Sequence, residues 1–235
     1  MTKHQYPCPN TRCPNQWHYS PQCPNLRSLP PASGPTQVPV APPPMSVDDR
    51  FDRASREISR QPSSAFSDEE MRTIKSYQDV SYEAINQTLR DKGSGFLMGH
   101  DRDTAYGLQQ IISDSTPLDE DVVVYRGLYT GDGSVDIPER GEFLDKGFQS
   151  TTTSQDYLNQ MLNEGVSMYD QDHPADTVVE VLLPKGSRVL AVPTDGNSYA
   201  EEEEVIIPAK STLNIVGSHT SSYGVRTVRA VLVPR

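Results

Sequence analysis

The hydrophobic rhythm of the chain changes near residue 117. Before that point, Ala105, Leu108, Ile111 and Ile112 fall at helical spacing, which predicts an amphipathic helix. Two further helices precede it. Ser67 followed by Glu70 is a capping-box pattern that satisfies orphan donors at a helix start, so a helix is predicted from Asp68 to about Tyr77. Another is predicted from Ser81 to Lys92, stopped by Gly93-Ser94-Gly95. After Pro117 the texture becomes that of strands. "DVVVYRGL" reads as a buried strand, "GDGS" as a turn, "KGFQSTTT" as a second strand, and "SQDYLNQMLNEG" as a helix. The runs "DTVVEVLL", "SRVLAV", "EEVIIP", "STLNIVG" and "VRTVRAVLVP" then read as strands. Helices first and strands later predict an α+β domain with mainly antiparallel sheets, not alternating βαβ units.

Residues 1–65 do not share this rhythm. Proline density between 28 and 46 opposes both helix and sheet and favours an extended spacer, and the polar stretch after it either stays irregular or forms a short lead-in helix. A linker is therefore expected over 28–65 and the folded domain over 66–235. Residues 1–27 repeat Cys-Pro-Asn at Cys8, Cys13 and Cys23, and His18 completes a spacing of five. Three thiolates and an imidazole suit tetrahedral zinc. The alternative is a proline-rich tail whose cysteines are incidental, and the spacing alone leaves both open.

Charge and length narrow the function. The net charge is -11, yet residues 1–46 carry +3, so the remainder carries -14. An acidic domain argues against a phosphate-gripping nucleic-acid groove, although a local basic pocket for a phosphorylated ligand remains compatible. No apolar run of about 18 residues predicts a membrane span, and the first 30 residues lack the apolar core of a secretory signal. All three cysteines precede residue 24, so no disulfide is expected in the main domain. There is neither a G-x-G-x-x-G after a strand nor a Walker loop, so any nucleotide site is built another way.

Four features carry candidate chemistry. In "AEEEEVIIP", strand alternation would put Glu202 and Glu204 on one face with Ile206, and two carboxylates sharing a cleft raise one pKa. A solvated acidic loop is the alternative. Arg126 ends a buried strand, where a guanidinium in the core needs an anion such as a ligand phosphate; the alternatives are a buried ion pair or an arginine that reaches solvent beside Gly127. In "FQSTTTS", Ser150 and Thr152 share a face opposite Thr151, and inward hydroxyls need partners such as Glu204. Tyr82, Asn86 and Arg90 recur every four residues on one helix face, as a ligand-binding or merely solvated stripe.

The ordered set "YEAINQTLR", "VVVYRGL", "FQSTTTS" and "EEEEVIIP" resembles the ADP-ribosyltransferase toxin family, with its Arg, Ser-Thr-Ser and Glu-x-Glu motifs. That family includes clostridial binary toxins, Rho-modifying exoenzymes and vertebrate arginine-specific ecto-transferases. The resemblance spans about Phe66 to Arg235, and Thr152 stands where the motif has its last serine. It implies an NAD cleft between two roughly perpendicular sheets. It implies that Arg126, with Arg90 and Asn86, holds the cofactor's phosphates. Tyr82, Gly127, Phe148, Thr151 and Thr152 complete the implied cofactor-binding set. Ser150 is implied to orient Glu204, which stabilises the oxocarbenium ion as nicotinamide leaves, while Glu202 deprotonates the acceptor. Glu rather than Gln at 202 inclines the acceptor towards a protein arginine. The resemblance further offers Tyr199 as a contact for the protein substrate, and Tyr157 or Tyr169 as a nicotinamide neighbour. An NAD glycohydrolase and a catalytically silent binding module are the rival functions.

Overall fold

Capping chemistry starts the first long helix where the sequence puts it. Ser67 Oγ accepts from the Glu70 N–H at 3.2 Å, and Glu70 Oε2 accepts from the Ser67 N–H at 2.7 Å. In this computed structural model, helix α1 spans Val47–Arg53, α2 Asp68–Ser76, α3 Tyr82–Asp91, α4 Gly99–Asp114 and α5 Gln155–Glu164. A π-helical turn, Tyr77–Ser81, joins α2 to α3. The structure describes residues 6–7, 17–18, 45–130, 137–164, 175–221 and 224–234. They fall into two units, Met1–Pro44 and Met45–Arg235.

In the first unit, strands β1 (Tyr6–Pro7) and β2 (Trp17–His18) pair antiparallel. Cys8, Cys13 and Cys23 of the expected zinc set lie outside the described residues, as does the side chain of His18. Among the described residues, no group of His, Cys, Asp or Glu is arranged to hold a metal.

The second unit holds β3 (Val122–Leu128), β4 (Gly141–Asp145), β5 (Gln149–Thr152), β6 (Thr177–Leu183), β7 (Leu190–Ala191), β8 (Glu204–Ile207), β9 (Ser211–Thr220) and β10 (Arg226–Leu232). Their order is β4-β9-β10-β6-β3-β5-β8-β7, and only β10 and β6 run parallel. The α+β class and mainly antiparallel pairing are as expected. One pair, Tyr125 with Thr152, links β3 to β5. Five strands and three strands therefore meet along a single narrow seam.

Both faces of β3 are covered. Val122 and Val124 pack with Val181, Val205 and Val228, whereas Val123 and Tyr125 pack with Phe51, Leu158 and Leu182. The helices gather Ile74, Tyr77, Ile85, Leu108 and Ile112 against Phe148, just before β5, and Ile206 of β8. Each such fully buried aliphatic or aromatic side chain contributes about 1.5–3 kcal/mol.

The domain start at residue 66 and the linker to residue 65 require correction. The second unit begins at Met45. Ser46 caps α1, Phe51 is buried, and Arg50 pairs with Asp121 at 2.8 Å. Ser55 then forms a parallel bridge beside Val122. One buried phenyl and a few backbone bonds anchor a segment whose polar composition suggested none.

Candidate active site

The glutamate run is not a continuous strand. Ala200–Glu202 forms a short 3-10 turn, and Glu203 adopts left-handed geometry with φ 45° and ψ 48°. That conformation costs an L-residue roughly 1–2 kcal/mol. The strand begins only at Glu204, so alternation does not place Glu202 beside Glu204; the kink at Glu203 does. Glu201 and Glu203 are exposed, while Glu202 is half-buried and Glu204 is 8% exposed.

Burial and the neighbouring Glu204 charge push the Glu202 carboxyl up to about 7, against the hydrogen bond it receives from Tyr157. The Tyr157 hydroxyl is pushed up in turn by burial and by Glu202. Burial also raises Glu204, opposed by Ser150, Gln78 and the Arg60 charge. The well-formed bond to this carboxylate comes from Gln78, whose Nε2 donates to Oε2 at 2.8 Å. Gln78 sits in the π-helical turn, a local irregularity that often marks functional positions. Ser150 Oγ is buried beside both Glu204 and the Tyr77 hydroxyl, close enough to act on each, but it makes no hydrogen bond of normal geometry to either.

The arginines form the other half. Arg90 Nε and Nη2 donate to the two oxygens of Asp145 at 3.0 and 3.1 Å, and Arg126 Nη1 donates to the same carboxylate at 3.2 Å. Burial raises the Asp145 pKa, but the Arg90 hydrogen bond and the Arg126 charge outweigh it and hold the carboxyl below its ordinary value. Arg126, with 12% of its side chain exposed, therefore has an internal carboxylate as its partner. Two guanidiniums sharing one carboxylate leave a cation in excess, which suits a phosphorylated ligand.

A buried polar chain runs from the arginines towards the acids. Asn86 accepts from the Phe148 N–H at 2.8 Å and donates to the Tyr77 hydroxyl at 2.9 Å. The Tyr77 ring meets Phe148 and Tyr82 edge-on, with centroids 5.6 and 5.8 Å away. Tyr82 remains exposed, whereas Asn86 and Phe148 are each 1% exposed and form part of the scaffold. The Thr151 hydroxyl donates to the Val205 carbonyl, and that of Thr152 to the Glu202 carbonyl. These hydroxyls fix the acid strand instead of meeting Glu204. Gly127 lies where a Cβ would come within 3.2 Å of Ala175 and 3.3 Å of Met161. Its missing side chain admits the neighbouring chain.

Tyr199 is half-buried, and its N–H donates to Asn197 Oδ1. Tyr169 lies outside the described residues. A separate groove of about 600 Å³, lined by Ile58, Phe66, Ile111 and Leu118 among others, contains none of the candidate side chains.

Sequence reasoning missed Asp145, Gln78 and Arg60. Burial of Arg126 demanded an anion, which was the available signal for Asp145. No local pattern marks Gln78 or Arg60, because both act across more than a hundred residues.

The fold has counterparts among known proteins. No curated protein sequence matches the chain. Among solved structures, it resembles Plx2a, an ADP-ribosyltransferase toxin from Paenibacillus larvae, at 19% identity and TM-score 0.55, covering 72% of this chain and 88% of that one. It resembles C3stau2 from S. aureus, solved with NAD, at 18% identity and TM-score 0.56, covering 74% and 90%. The Clostridium limosum C3 exoenzyme superposes with TM-score 0.58 at 14% identity, covering 72% and 86%. These likenesses show a shared fold. The family model described as ADP-ribosyltransferase exoenzyme matches residues 48–232, and the chain therefore belongs to the ADP-ribosyltransferase exoenzyme family.

Proposed function

We propose that this protein transfers ADP-ribose from NAD to an arginine of a target protein and releases nicotinamide. The observation that carries this reading is the acid pair: a half-buried Glu202 joined through the left-handed Glu203 to Glu204, which is buried and held by Gln78. The solved relatives C3stau2 with NAD and exoenzyme S of Pseudomonas aeruginosa with carba-NAD support NAD as the donor.

In this reading Arg90 and Arg126 face the pyrophosphate, and Tyr82 lies on the approach to it. The bond between nicotinamide and ribose breaks with its electron pair leaving on nicotinamide. Positive charge then develops on the ribose. A carboxylate at Glu204, shielded from water and fixed by Gln78, meets that charge more strongly in the transition state than in the ground state. Glu202 accepts a proton from the incoming guanidinium, whose nitrogen forms the new bond to the ribose carbon. A base poised near neutrality suits this task.

Incubation with NAD and a cell lysate tests the reading. Release of nicotinamide together with labelled protein is expected, and the label should survive on peptides containing arginine. Glu202→Gln should abolish labelling while sparing part of the NAD hydrolysis. Hydrolysis with no labelled protein in any lysate would favour the glycohydrolase. No release of nicotinamide at all would favour a silent module.

A further inference from the structure

We infer that Arg60 is a positioning residue that sets the Glu202–Glu204 pair through the backbone of the turn carrying both. This rests on the proposed role of those acids, although the geometry at Arg60 stands without it.

Arg60 Nη1 donates to the carbonyls of Val192 at 3.1 Å and Glu204 at 2.7 Å. Its Nη2 donates to Thr153 Oγ1 at 3.0 Å and to the Glu203 carbonyl at 2.6 Å. One guanidinium thus ties together the exit of β7, the residue after β5, and the kink before β8. The kink needs such a tie. Glu203 is left-handed without being glycine, and such a conformation persists only where its surroundings over-determine it. The Glu203 side chain adds to the hold by accepting from Thr153 Oγ1 at 2.7 Å.

Arg60 touches neither catalytic carboxyl by hydrogen bond; its partners are carbonyls and a threonine hydroxyl. It therefore determines where Glu202 stands relative to Glu204, because two of the carbonyls it grips belong to Glu203, the residue between them, and to Glu204 itself. A planar fork reaches four acceptors in a fixed plane, whereas a lysine ammonium is a compact point donor.

The strap that delivers Arg60 is anchored on both sides. Upstream, Ser55 pairs with the backbone at Asp121 and Val123. Downstream, the Ser63 N–H and hydroxyl both donate to Asp195, in the loop leading to the acids. The strap thus holds that loop at Asp195 and at the kink.

The test compares full-length wild type with Arg60→Ala, Arg60→Lys and the exposed neighbour Arg56→Ala as control. Nicotinamide release and NAD affinity are measured alongside amide hydrogen exchange. For Arg60→Ala, kcat should fall about tenfold or more while the Kd for NAD stays within about threefold. Exchange should rise selectively at 203–205, leaving β6 and β10 protected. Arg60→Lys should recover part of kcat, and Arg56→Ala should match wild type. Retention of kcat within about twofold by Arg60→Ala would overturn the inference. So would an exchange increase spread evenly over β6 and β10, since that denotes general destabilisation. If wild type releases no nicotinamide, the catalytic reading fails separately; selective exposure of 203–205 still supports the Arg60 tie, and unchanged protection there overturns it.

Discussion

Gln78 Nε2 donates to Glu204 Oε2 at 2.8 Å, across 126 residues of sequence. A glutamine in a π-helical turn therefore fixes the rotamer of a carboxylate at the start of a strand. The side-chain oxygen Oε1 of Gln78 accepts from Asn197 Nδ2 at 3.4 Å, and Asn197 Nδ2 also donates to the Pro193 carbonyl at 3.1 Å. The loop before the acids and the helix-borne amide thus orient one another.

Gln78→Leu removes the donor without a large loss of volume. Hydrogen bonds to charged groups are worth about 1.5–3 kcal/mol, so kcat should fall roughly 10- to 100-fold. KM for NAD should change little, because the loss falls on Glu204 and not on the arginines. Steady-state nicotinamide release checks both values.

The pH profile follows from Glu202. Its carboxyl is raised to about 7, and its proposed role requires the deprotonated form, so kcat should rise with pH through about 7 and then level. Stability should move the other way. A carboxyl with a raised folded-state pKa favours the fold fully below its unfolded value, and that contribution is lost as pH rises through about 7. Glu202→Gln should therefore be more stable than wild type above pH 7, with the difference closing towards about pH 4. Thermal melts at several pH values check this sign.

Asp145→Asn leaves Arg90 and Arg126 without their shared anion. Asp145 is 5% exposed, but Arg90 has 34% of its side chain in solvent. The loss should therefore sit near the lower end for a broken buried pair, about 3 kcal/mol in urea unfolding. NAD should restore part of it if its phosphates meet the same guanidiniums.

Phe51→Ala tests the domain start. The ring is 2% exposed, with the Arg229 guanidinium 5.2 Å from its centroid. Its loss should cost about 3–5 kcal/mol, whereas a linker residue would cost almost nothing. Urea unfolding of the full chain separates the two.

The helices, the central strand and the acid pair were legible because each leaves a local mark: Ser67 with Glu70, four apolar residues in a row, two glutamates before Val205. Strand β4 was not, because Gly141, Glu142 and Leu144 are exposed on an edge and show no buried alternation. The pairing of Glu202 with Glu204 was legible, but its cause was not. A left-handed φ at a glutamate follows from Arg60 and Thr153, which lie far away in sequence. The polar segment 47–65 concealed Phe51 for a related reason: one buried ring among charged neighbours gives no periodicity.

Glu204 carries the central claim, and nicotinamide release from NAD by wild type and Glu204→Gln tests it most directly. The variant keeps the shape and the contact with Gln78 while removing the charge. A fall of about 100- to 1000-fold, with NAD still bound, is the predicted result. Release at the wild-type rate would contradict the account.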